Sequence, residues 1–114
     1  MVLTDYQELA LRHVWSNPER GADTRGTHTA VNKGLAPTRT ISRASIINFL
    51  NSMAEQGILR YVEKSTKGGM KRVYYPKLDE EGFKLLIAKI IITNLLRDFP
   101  EETRQALKDV DLLH

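Results

Sequence analysis

The 114-residue chain contains no cysteine, which excludes a disulfide framework, a thiolate zinc site and a thiol-based redox sensor. It also lacks a long apolar run. The longest, residues 85–96, is 12 residues and already contains Lys89 and Asn94. A membrane-spanning helix needs about 20 apolar residues, so no membrane partner is expected. Asp5 and Glu8 interrupt the first ten residues and no basic start precedes them, so no signal peptide is expected and a reducing cytoplasm is the default. Catalytic spacings are missing too. His13, His28 and His114 are scattered, without an HExxH pair, and there is no Gly-x-Ser-x-Gly, phosphate loop or dinucleotide fingerprint. Lys67-Gly68-Gly69 is not a phosphate loop, because no helix is expected after it. The reading is therefore no enzyme, no metal and no cofactor. Repeats, low-complexity segments and linkers are absent as well.

What is present is ordinary for a globular chain: 41% hydrophobic and 27% charged residues. The net charge of +3 hides an asymmetry. Residues 1–77 carry 12 Lys/Arg against 6 Asp/Glu, whereas residues 78–114 carry 5 against 8. A basic front and an acidic back is the pattern of a protein that faces a polyanion with one part only. An accidental surface imbalance is the plainer alternative.

The pattern predicts five helices and a ribbon. Thr4 or Asp5 caps a first helix, with Glu8 near the capping-box position and Tyr6, Leu9, Ala10, Val14 and Trp15 at helical spacing. Asn17-Pro18 ends it. Residues 19–26 read as a loop, 27–33 as a short helix stopped by Gly34, and 35–40 as a turn around Pro37. The third helix, 42–56, is the clearest of the front half: Ile46, Phe49, Leu50, Met53 and Ala54 make one buried stripe, and Gly57 stands where a left-handed cap is wanted. A strand from Ile58 or Leu59 to Glu63 or Lys64 follows, then a polar loop, 65–70, and a return strand, 71–75, closed by Pro76. The Gly68-Gly69 pair supplies positive φ for the reversal. A long helix spans 79–98, its Asp79, Glu80 and Glu81 placed for the helix dipole, and a last helix spans 101–112.

The candidate site is the block 41–76. With the stripe of the third helix turned inward, Ala44, Asn48 and Asn51 fall on the opposite face, Ile47 on its flank and Arg43 near the boundary. Arg43 suits guanine, Asn48 or Asn51 adenine, and Ala44 and Ile47 a thymine methyl. Ile47 is the odd residue, since a solvated face rarely selects isoleucine. Arg39, Thr40, Ser42 and Ser45 are candidate phosphate contacts at the helix start. Lys64, Lys67, Lys71 and Arg72 surround the hairpin turn. A solvated face with Ser42 as a mere cap, and lysines that guard a strand edge, are the bland alternatives. In the long helix, Phe83, Ile87, Ile90 and Asn94 form one stripe. Leu85, Ala88, Ile92, Leu96 and Phe99 form another on nearly the opposite side, which suggests a homodimer interface or an internal clamp.

These residues resemble the winged-helix repressors over about residues 3–86. The similarity is nearest to the penicillinase-repressor (BlaI/MecI-like) group in LTDYQELALRHVW, IINFLNSMAEQGIL and RVYYP. The segment KGGMKRVYYPKLDEEG is also similar to PadR- and MarR-type regulators. The resemblance implies a mainly α protein with a small β-hairpin (α+β), a winged helix-turn-helix over 1–77 and a helical dimerisation segment over 78–114 of the same compact domain. It further implies a homodimeric repressor on double-stranded DNA, nucleoid-associated, with the helix in the major groove and the wing on the backbone or minor groove. No small-molecule effector is specified. The alternative is a winged-helix module that binds protein.

Overall fold

In the computed structural model, which describes residues 3–113, Thr4 caps α1 (Asp5–Ser16). The Thr4 N–H donates to Gln7 Oε1 at 3.0 Å, so Gln7 closes the capping box and not Glu8. Glu8 instead pairs with Arg12 one turn on, at 2.8 Å. Ala10, Leu11 and Val14 are buried, and Asn17 caps the C-terminus. His114, noted above, lies outside the described residues.

The predicted loop 19–26 holds more structure than its composition suggests. Ala22–Asp23 is a two-residue strand, β1, and α2 (Thr24–Leu35) begins directly after it. Asp23 makes this early start possible: its Oδ1 accepts from the Gly26 N–H at 2.7 Å, and its backbone carbonyl accepts from the fully buried Thr27 hydroxyl at 2.8 Å. The helix also runs through Gly34, the expected stop, to the buried Leu35. A Cβ on Gly34 would lie 3.0 Å from Leu9 Cδ1. Glycine is there for the approach of α1, not for termination.

Helix α3 (Arg43–Glu55) follows a turn that is pinned by one side chain. Asn32 of α2 brackets Ile41, accepting from its N–H at 2.7 Å and donating to its carbonyl at 3.2 Å. His28 Nε2 lies 2.9 Å from the same carbonyl. The carbonyl can only accept, so Nε2 carries the proton. Ser42 then caps α3, and Ile46, Phe49, Leu50 and Met53 are buried as the stripe predicts. Gly57 takes φ +76°, the left-handed conformation expected of it.

The ribbon is longer than predicted. β2 (Leu59–Thr66) and β3 (Gly69–Pro76) pair antiparallel to the tip, so Ser65, Thr66 and Met70 are strand residues and only Lys67-Gly68 turn. Of the two tip glycines, Gly69 carries the positive φ, +126°. β1 adds to the other side of β3, with Ala22 opposite Tyr74, giving the sheet order β1-β3-β2.

Chain contacts divide the described residues into a unit of Leu3–Glu80 and one of 81–113. The second unit consists of α4 (Glu80–Asp98) with α5 (Pro100–Leu113). Thr103 is buried, its hydroxyl donating to the Leu95 carbonyl at 3.1 Å. Ile92, Leu95, Phe99, Ala106, Leu107 and Val110 line an apolar groove along the two helices. Of the expected interface stripe, Leu85, Ala88 and Phe99 are exposed while Ile92 and Leu96 are half-buried. Among the described residues no helix is long and apolar enough to cross a membrane.

Candidate nucleic-acid interface

The outer face of α3 presents Arg43, Ala44, Ile47 and Asn48 to solvent, with Ile47 37% exposed. Ser42 and Ser45 sit at its start, and their hydroxyls are 2.9 Å apart. The Ser42 oxygen accepts from the Ser45 N–H at 3.1 Å, so its first role is the helix cap. Thr40 is exposed beside it. Arg39, expected as a phosphate contact just before the helix, is ion-paired to Asp5 of α1.

Strand alternation divides the ribbon into two faces. Tyr61, Glu63, Arg72 and Tyr74 lie on the face toward α3 and Lys64, Lys71, Val73 and Tyr75 on the other, with the paired Lys71 and Asp23 at the edge, where they also line the groove beside α3. The clustered cations of the sequence are thus separated. Arg72 is held at the junction of ribbon and helix: Nη1 donates to Asn51 Oδ1 at 3.0 Å, the guanidinium lies 4.1 Å from the Tyr61 ring centroid, and Nε is 3.6 Å from Glu63. The Tyr74 hydroxyl, whose pKa burial pushes up, donates to the same Asn51 oxygen. Asn51, with Asn48 one of two candidate adenine readers, has its side-chain oxygen occupied and latches the wing to α3. Sequence projection gives the direction of a side chain but not the partner that the sheet supplies.

Lys71 Nζ lies 3.0 Å from Asp23 Oδ2. The Asp23 carboxyl is held below the usual carboxylate range, chiefly by the Gly26 N–H, with Lys71 adding and partial burial opposing. A depressed folded-state pKa contributes stability that is complete above the unfolded value, about 4, and is lost as pH falls through the folded one. Asp23→Ala should accordingly destabilise the protein by about 1 kcal/mol at neutral pH, with the gap from wild type closing in acid. Urea denaturation at a series of pH values checks this.

Lys64 and Lys67 make no ion pair among the described residues. Between the first turn of α2, the outer face of α3 and the ribbon runs a groove of about 600 Å³. Its walls include Thr24, Arg25, Arg43, Ile47, Met70 and Arg72. Thr24, Arg25 and Met70 escaped the sequence reading. Taking Asp23 as a cap would have placed Arg25 in an exposed first turn. Among the described residues no three His, Asp or Glu side chains come together to hold a metal ion.

Two helices joined by a pinned turn, a cap-started second helix and a β-ribbon closing the unit define a winged helix-turn-helix, within a mainly α, α+β chain. No protein family and no curated protein matches the sequence. Solved structures do share the fold. A possible transcriptional regulator from Methanosarcina mazei superposes with a TM-score of 0.59 at 17% identity, over 94% of this chain and 78% of its own. The ORC1 protein of Aeropyrum pernix, in complex with DNA, superposes with a TM-score of 0.58 at 15% identity over 90% of this chain. The match spans 26% of the ORC1 chain.

Proposed function

We propose that the protein is a sequence-specific, double-stranded-DNA-binding transcriptional regulator, acting in the cytoplasm as a homodimeric repressor. The observation that carries the reading is the groove flanking α3. Two cations without ion pairs among the described residues, Arg25 and Arg43, stand there beside exposed Ile47 and Asn48, with Lys64 and Lys67 on the adjoining wing. In this arrangement α3 enters the major groove, where Arg43 reads a guanine edge and Ala44, Ile47 and Asn48 meet neighbouring bases. Lys64, Lys67 and Arg25 neutralise phosphates, and Thr40, Ser42 and Ser45 lie along the backbone at the helix start. Lys71, Arg72 and Arg39 act at the margin, since each already holds an internal partner. The second copy packs through Leu85, Ala88, Ile92, Leu96 and Phe99, a stripe with Leu85 and Phe99 each 57% exposed. The structural neighbours support the reading through their fold, one being described as a possible transcriptional regulator and the other solved with DNA.

Selection from a random duplex pool, followed by affinity measured across salt, tests it. The expected result is a two-fold symmetric site bound by two chains, with a salt slope that falls by about 1.8, about 0.9 for each chain, when Lys67 becomes alanine. Arg43→Ala should lose about 1–3 kcal/mol at one base pair of each half-site and change the slope by less than the Lys67 variant does. Failure of any duplex to enrich, or affinity indifferent to salt, would leave α3 and Ile47 as a protein-binding face.

A further inference from the structure

Behind the ribbon, on the face turned away from α3, lies a second cleft, of about 450 Å³. Its walls are the end of α1, residues 17–21, the first turn of α2 and the wing. The cationic side chains of Arg20, Lys64 and Lys71 line it, with the His13 imidazole and the Asn17 amide beside them. The sole carboxylate among the lining residues is Asp23, and both of its oxygens are engaged, one by the Gly26 N–H and the other by Lys71. Lys64 and Arg20 are left without a counter-charge among the described residues.

Two features go beyond a surface that happens to be basic. Lys64 and Lys71 are direct cross-strand partners, and like charges in that position repel one another across a few ångströms. Gly26 also stands in the first turn of α2, where glycine weakens a helix. A Cβ at that position would lie 3.0 Å from Asp23 Oδ1 and 3.7 Å from His13 Nε2, so the glycine keeps the space between those two side chains open.

We propose that this cleft binds a small organic phosphate, whose dianion supplies the counter-charge that the Arg20 guanidinium and the Lys64 ammonium lack, with the Asp23-paired Lys71 ammonium beside it. The cleft is of the size that encloses small ligands, whereas a duplex, being convex, meets projecting helices and wing tips. The bound phosphate would also sit against the wing, through Lys64, and against the cap of α2, through Lys71 and Asp23. Occupation would therefore compete with duplex phosphate for the wing. The binding site itself does not depend on the DNA reading, and it is tested without DNA.

The probe is inorganic pyrophosphate, titrated into the full chain at fixed ionic strength and followed by amide chemical shifts. Saturable shifts at Gly21, Gly26, Lys64 and Lys71 are expected. Arg20→Gln, at an exposed loop position, should weaken binding by about tenfold. Arg104→Gln, on α5, should leave it unchanged, and thermal melts should show both variants folded. Absence of saturation overturns the proposal, as does unaltered binding by Arg20→Gln. Shifts centred on Arg43 and Lys67 would also overturn it, because the probe would then be standing in for DNA phosphate. In a separate arm, Arg20→Gln should keep its duplex affinity; a loss equal to its loss of pyrophosphate binding would make the cleft part of the DNA footprint and overturn the proposal as well.

Discussion

Replacing Asn51 by alanine should destabilise the protein by about 1–3 kcal/mol and loosen the wing from α3. The estimate follows from what the Asn51 oxygen does. It accepts from both Arg72 and Tyr74, and Tyr74 is 1% exposed. A buried hydroxyl stripped of its acceptor costs about 1–3 kcal/mol, and water can replace the acceptor at the solvent-accessible Arg72 guanidinium. Asn51→Asp keeps the acceptor and places a carboxylate against Arg72, so most of the stability should return. Urea denaturation of the two variants reads the difference. An Asn51→Ala protein as stable as wild type, but with altered base preference, would restore Asn51 to the role of a base reader and remove the latch.

Gly21→Ala carries the other large effect, about 2–5 kcal/mol. Gly21 has φ +76°, and an added Cβ would lie 2.7 Å from both Tyr75 Cε1 and Val73 Cγ1. Left-handed backbone costs an alanine about 1–2 kcal/mol, and forcing a methyl into packed side chains about 1–3 kcal/mol more. Gly57→Ala is the matched control. It has the same φ, with nothing within 4 Å of the added Cβ, so only the backbone cost should appear. If denaturation gave the two variants equal losses, Gly21 would not be pressed against β3, and the pairing of β1 to β3 would be in doubt.

The positions of these two residues mark the limit of what the sequence makes legible. Helix α3 could be read to within a residue because its stripe repeats at 3.6 and because Ser42 and Gly57 have strong terminal preferences. Ile47 stood out as an exposed isoleucine, and it is exposed. β1 could not be read: two residues are too few to show a period, and its identity comes from Tyr74 and Val73, fifty residues away. The ends of α2 are hidden for a related reason. Gly26 and Gly34 look like breakers, yet one serves a cap and the other the approach of Leu9. Ser65, Thr66 and Met70 have the composition of a loop, yet the ladder holds them in strand to the tip. On the candidate site, residue types were readable and their engagements were not. Nothing local to Arg39, Lys71 or Arg72 announces Asp5, Asp23 or Asn51.

The bracket that Asn32 places around Ile41 separates the bearing of α3 from the chain that leads to it. Both backbone groups of Ile41 are fixed to α2, and Ser42 starts the helix on the next residue. Residues 36–40 then carry no responsibility for where α3 points. Evolution, or an engineer, can lengthen or rewrite that segment while the helix stays aimed. The exposed positions 43, 44, 47 and 48 can likewise be exchanged as a set on a mount that holds its alignment.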